Sequence, residues 1–144
     1  MPQGAGARRI SDPGIQSPEE LVRQAYRAFA RRDGKRLRSF CQPTLELRPV
    51  DALGLVGDPL QGFDAACDWV KERDQGGYNV TVWLRTLERI GPDHVLGVGV
   101  VAEQEQGCAA TVAWIWHVRD GLIDSVSGYP TEAAARRSFS ARPT

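Results

Sequence analysis

The chain has 144 residues, enough for one hydrophobic core, and its 42% hydrophobic and 25% charged content is that of a globular domain, not a disordered segment. Eighteen Lys and Arg balance eighteen Asp and Glu, so there is no cationic excess to neutralise phosphates and no nucleic-acid partner is expected. No run reaches the roughly 20 apolar residues of a membrane-spanning helix, which excludes a membrane partner of that kind.

Residues 1–16 are rich in Gly, Pro and Ala and carry Arg8 and Arg9 with no apolar run behind them. They predict a flexible tail, not a signal peptide. Ser17-Pro18-Glu19-Glu20 then reads as a helix start, with Ser17 as cap, Pro18 in the first turn and Glu20 able to close a capping box. Leu21, Val22, Ala25, Ala28 and Phe29 recur at helical spacing, with arginines on the other face. Asp33-Gly34 breaks this helix and starts a short second one carrying Leu37 and Phe40, ended by Pro43.

From Thr44 to Val50, Leu45 and Leu47 alternate with Glu46 and Arg48, the pattern of a strand with two unlike faces. Asp51 to Gln61 reads as a loop. Gly62 opens a third helix burying Phe63, Ala66, Cys67 and Val70, with Trp69 at its margin, and Gly76-Gly77 ends it. Tyr78–Ile90, Val95–Gln104, Cys108–Val118 and Leu122–Tyr129 predict four strands joined by short turns, hence an antiparallel meander. Gly97 and Gly99 fall inside a strand without the helix a phosphate-binding loop needs, and are expected to relieve crowding where a helix crosses the sheet. Thr131–Phe139 predicts a short Ala-rich helix. The domain is therefore assigned to residues 17–139, with 140–144 a C-terminal tail.

The three cysteines, Cys41, Cys67 and Cys108, are far apart and odd in number. They predict reduced core thiols in a cytoplasmic protein. No His or Cys pair stands at metal-ligand spacing, so neither a metal nor another cofactor is expected.

Three segments give the chain a resemblance: Tyr26-Arg27-Ala28-Phe29-Ala30-Arg31-Arg32-Asp33 closing the first helix, Leu60-Gln61-Gly62 before the third, and Val118-Arg119-Asp120-Gly121-Leu122-Ile123 turning the last hairpin. In this order and spacing the chain resembles the SnoaL-like branch of the nuclear transport factor 2-like superfamily. The resemblance implies an α+β fold in which a cone-shaped, curved antiparallel or mixed sheet wraps around three helices, encloses a pocket and carries a short C-terminal helix. It also implies a homodimer.

Ketosteroid isomerases of that superfamily use a carboxylate base on the first strand, and the ungapped match from Phe40 puts Arg48 there. Their oxyanion tyrosine falls at Ala25, one residue from Tyr26. The acid shared by isomerases and SnoaL-like cyclases falls at Trp114. A guanidinium cannot take a proton near neutral pH and an indole only donates, so that mechanism is not expected in its usual form and catalysis is left open.

The same match turns Glu46 and Arg48 toward the pocket, where they would form a catalytic polar grip or a structural ion pair. Trp114 and Trp116 share one face of their strand and, with Tyr26, Trp69 and Tyr129, are the expected ligand contacts. His117 is expected on the opposite face and His94 in a turn. Two functions follow. One is a small-molecule pocket protein acting as isomerase, cyclase or hydrolase on an apolar or aromatic ring-containing ligand. The other is a non-catalytic assembly domain that dimerises through an outer face carrying Leu45, Leu47, Ile115 and His117.

Overall fold

A computed structural model describes residues 17–77, 79–104 and 107–141. The tail expected at 1–16 lies outside the described residues, as do residues 142–144. Ser17 Oγ accepts the Glu20 amide at 3.1 Å and starts α1 (Pro18–Ala30). The capping box does not close, because the Glu20 carboxylate instead accepts hydrogen bonds from Arg23 at 2.7 Å and Gln24 at 3.2 Å. Leu21, Val22, Ala25 and Ala28 form the buried stripe of this helix, as their spacing requires.

Asp33 caps α2 (Gly34–Arg38) through the Arg36 amide at 3.1 Å. The chain then enters β1 (Cys41–Arg48) earlier than Pro43 suggested, and Pro43 sits inside the strand, exposed. The loop that follows ends in a two-residue strand, β2 (Leu60–Gln61). Gly62, at φ +96°, provides the backbone turn that opens α3 (Phe63–Gln75) without a side-chain cap.

The meander forms as β3 (Val80–Gly91), β4 (His94–Glu103), β5 (Cys108–Arg119) and β6 (Leu122–Tyr129), each pairing antiparallel with the next. β1 closes the centre of the sheet by pairing parallel with β6, giving the order β2-β1-β6-β5-β4-β3 in one curved, unclosed sheet. Thr131 caps α4 (Glu132–Ser140) through the Ala134 amide at 3.0 Å. No helix among the described residues is long and apolar enough to cross a membrane.

Strand alternation sorts the side chains onto two faces. On the inner face, Leu45, Val95, Val118 and Ile123 pack with Leu21, Val22 and Phe63 of the helices. On the outer face, Leu96, Ala113 and Ile115 are covered by Ala135 and Phe139 of α4.

The glycines of β4 relieve crowding of a different kind from the one expected. A Cβ on Gly97 would lie 2.5 Å from the Trp116 ring, and one on Gly99 would lie 2.2 Å from the Trp83 carbonyl oxygen of β3. At both positions the nearest atoms belong to neighbouring strands. Gly97 makes room for an indole, and Gly99 lets two strands approach where β3 slips register between Leu84 and Thr86.

Candidate functional site

Between the helices and the inner face of the sheet lies a cavity of about 830 Å3. β5 projects Trp114 and Trp116 into it, their rings tilted at 44° with centroids 6.1 Å apart. Trp114 is seated between Gly97 of β4 and Gly128 of β6, its cross-strand partners. Large rings beside absent side chains keep the wall flat and leave space in front of it. Leu45 and Leu47 of β1 line the adjoining wall.

Tyr26 and Trp69 also line the cavity. The Tyr26 hydroxyl is already engaged: it donates to the Val82 carbonyl at 2.7 Å and accepts the Leu84 amide at 3.3 Å. Its ring is the surface it offers. Trp69 carries the Arg73 guanidinium over its ring at 4.4 Å.

Glu46 and Arg48 are not brought into the cavity, which corrects the expected pocket grip. β1 turns Leu45 and Leu47 inward, so Glu46 and Arg48 take the other face. Glu46 accepts a hydrogen bond from Gln61 of β2 at 3.2 Å, and Arg48 is exposed. Among the described residues the two form no ion pair with each other. Burial decides the phase: the two leucines of the strand, not its two charged side chains, face the apolar interior.

Tyr129 is also relocated. It faces outward beneath α4, where its hydroxyl meets the Ser138 hydroxyl at 3.0 Å. The surface expected for dimerisation is dismantled in the same way: Leu45 and Leu47 are interior and Ile115 is under α4, leaving only His117 of that set on the outer face. There His117 stacks on His94 with ring centroids 4.6 Å apart and approaches Asp124 at 3.4 Å.

Charged side chains gather where the ends of the helices meet the cavity. Arg32 pairs with Asp74 at 2.8 Å, and Arg38 pairs with Asp64. The Arg32 hydrogen bond holds the Asp74 carboxyl below its ordinary value. Among the described residues no group of three or more His, Cys, Asp or Glu side chains converges as a metal site.

One site residue escaped the sequence reading. Glu103, 8% exposed, is the buried charged residue of the inner face and lines the cavity. Its signal was available, because Val95, Gly97, Gly99, Val101 and Glu103 alternate along one face of β4 and the first four are apolar.

Cys41 and Cys67 line the cavity as free thiols, and Cys108 is also free. Of the three, Cys41 is buried and the other two are half-buried. Burial pushes the Cys41 thiol up to about 12, with neighbouring Cys67 adding to the shift, and burial raises Cys67 as well. At pH 8 a thiol shifted so far is about one part in ten thousand thiolate. Iodoacetamide at that pH is therefore expected to leave Cys41 unmodified in the native protein and to label it after unfolding in urea, as read by peptide mass mapping. Labelling of native Cys41 at the rate of a free peptide thiol would contradict this burial.

No protein-family model and no curated protein sequence matches the chain. Solved structures do. A nuclear transport factor 2-like protein from Burkholderia thailandensis E264 superposes with a TM-score of 0.64 at 21% identity, over 90% of this chain and 100% of that one. TerC, co-crystallised with polyporic acid, gives 0.64 at 19% identity over 85% and 97%. A protein from Sinorhizobium meliloti provisionally described as a polyketide cyclase gives 0.63 at 19% identity over 79% and 99%. The chain therefore has the nuclear transport factor 2-like fold.

Proposed function

We propose that this protein binds a flat, apolar, ring-containing small molecule in the cavity between its helices and its sheet. The observation that carries the reading is the cavity's size and wall: about 830 Å3, within the range of small-molecule sites, faced by two indoles and by leucines of β1. TerC and the Sinorhizobium protein share this fold. The reading stops short of the isomerase reaction, because Arg48 stands outside the cavity and Trp114 supplies no base. Any proton transfer would need a carboxylate elsewhere in the wall.

Thermal unfolding with a panel of three-ring aromatics, steroids, terpene epoxides and aliphatic acids tests the proposal. A ligand at a hundred times its dissociation constant adds about 2.7 kcal/mol to the folded state, a shift of ~5–10 °C for a chain of this size. Arg48→Ala is expected to keep the full shift, because its side chain lies on the other face. Leu47→Trp, which fills the cavity from β1, is expected to lose it while still unfolding cooperatively. If no member of the panel stabilises the wild type, the proposal fails.

A further inference from the structure

Resting on that reading, the structure assigns a polar anchor to the cavity: we infer that Glu103 accepts a hydrogen bond from a hydroxyl carried on the ring system of the ligand.

A carboxylate removed from water needs partners, since burial penalises its charge. Glu103 has little of that compensation. Its Oε1 receives Arg73 Nη1 at 3.4 Å, a long contact, and its Oε2 accepts no hydrogen bond from the described residues. The side chain is nevertheless nine-tenths buried, at 10% exposure, and lines the cavity. An acceptor site is thus held ready in a wall that is otherwise largely apolar.

Of the other acceptor side chains of the lining, Asp68 is exposed to solvent, and four more are engaged elsewhere. The Tyr26 hydroxyl is occupied by the backbone of β3 on both its donor and acceptor sides. Asp74 and Asp64 are held by Arg32 and Arg38 at the surface. Asp51 Oδ1 accepts the amides of Leu53 and Leu55 within its own loop.

The charge balance narrows the ligand further. Arg73 stands beside the carboxylate and also lies over Trp69, so the pair is already neutral. A cationic amine would gain little attraction and would meet the like charge of Arg73. A neutral O–H gains a charge-assisted hydrogen bond without adding a charge to the cavity. The geometry therefore fits a phenol or enol on a flat polycycle.

Three matched probes test this by calorimetric titration: 9-phenanthrol, 9-methoxyphenanthrene and phenanthrene, each against wild type and Glu103→Gln. Wild type is expected to bind the phenol at least ~10-fold more tightly than its methyl ether, and Glu103→Gln to bring the two within about threefold while still binding phenanthrene. Equal wild-type affinities for phenol and ether would overturn the anchor and leave the apolar pocket standing. A wild-type preference for the phenol that survives Glu103→Gln would also overturn it. Binding of none of the three would remove the pocket reading, and the anchor with it. Should Glu103→Gln fail to fold, the wild-type comparison still decides against the anchor if the phenol shows no advantage, and Glu103→Asp then supplies the variant arm, expected to weaken the phenol alone.

Discussion

Gly99→Ala is expected to destabilise the protein by about 3 kcal/mol, lowering the unfolding midpoint by ~10 °C. The added Cβ would stand 2.2 Å from the Trp83 carbonyl oxygen and 3.0 Å from Leu84 Cα. Both are backbone atoms of β3, so no rotamer change relieves the overlap. Either β3 moves away from β4 or the ladder breaks at the register slip beside it. Gly34→Ala is the paired control: it lies in α2, has no heavy atom within 4 Å of the added Cβ and has no positive φ. There the change is expected to be neutral or to stabilise by roughly 0.5 kcal/mol, through the smaller entropy of the unfolded chain. Chemical denaturation of both variants measures the contrast. Equal midpoints would show that β3 and β4 approach less closely than described.

Phe63→Ala is expected to cost about 3–5 kcal/mol, a large part of the 5–15 kcal/mol that holds a domain of this size together. Phe63 is 3% exposed, and its ring packs into the cluster containing Leu21, Phe40 and Leu45, with the Arg38 guanidinium 4.6 Å above it. Its position as the first residue of α3 adds to the effect. Gly62 offers that helix no side-chain cap, so the buried ring fixes where the helix begins. Truncation would remove the apolar contact, the cation–π contact and the anchor of the helix together. Phe63→Leu is expected to recover more than half of the loss. Calorimetric midpoints for the two variants separate a packing role from a passive position, which would lose less than 1 kcal/mol in either.

Much of the fold could be read from the residues because local chemistry decided it. Ser17 and Asp33 cap the helices they were expected to cap, and the Asp120-Gly121 turn joins β5 to β6 where the pattern placed it. The inward direction of Trp114 and Trp116 followed from period-two alternation, as did the outward direction of His117.

The site was less legible, for two physical reasons. Alternation in β1 divides its residues into two sets but does not say which set faces in. The resemblance to isomerases implies the charged pair inside, whereas burial favours Leu45 and Leu47, and these two line the cavity. Tyr129 failed for the second reason: the buried face of α4 is visible in its sequence, but the surface it covers is not, and that surface is the back of the sheet. Glu103 gives no paired signal in the sequence: it is a single charged residue at the end of an apolar face of β4.

The parallel pairing of β1 with β6 sets an order of events. Strands 3 to 6 are joined by short turns, so each hairpin can close as soon as both its strands exist. Among the described residues, the only partner of β1 near it in sequence is the two-residue β2. Cys41 aligns with Ile123, and the Ile123 amide reaches the Phe40 carbonyl at 2.8 Å, a contact that must wait for the last strand to be in place and must close a loop spanning most of the chain. Leu45 and Leu47 arrive with β1. The chamber between the helices and the sheet is therefore completed only when β1 pairs with β6.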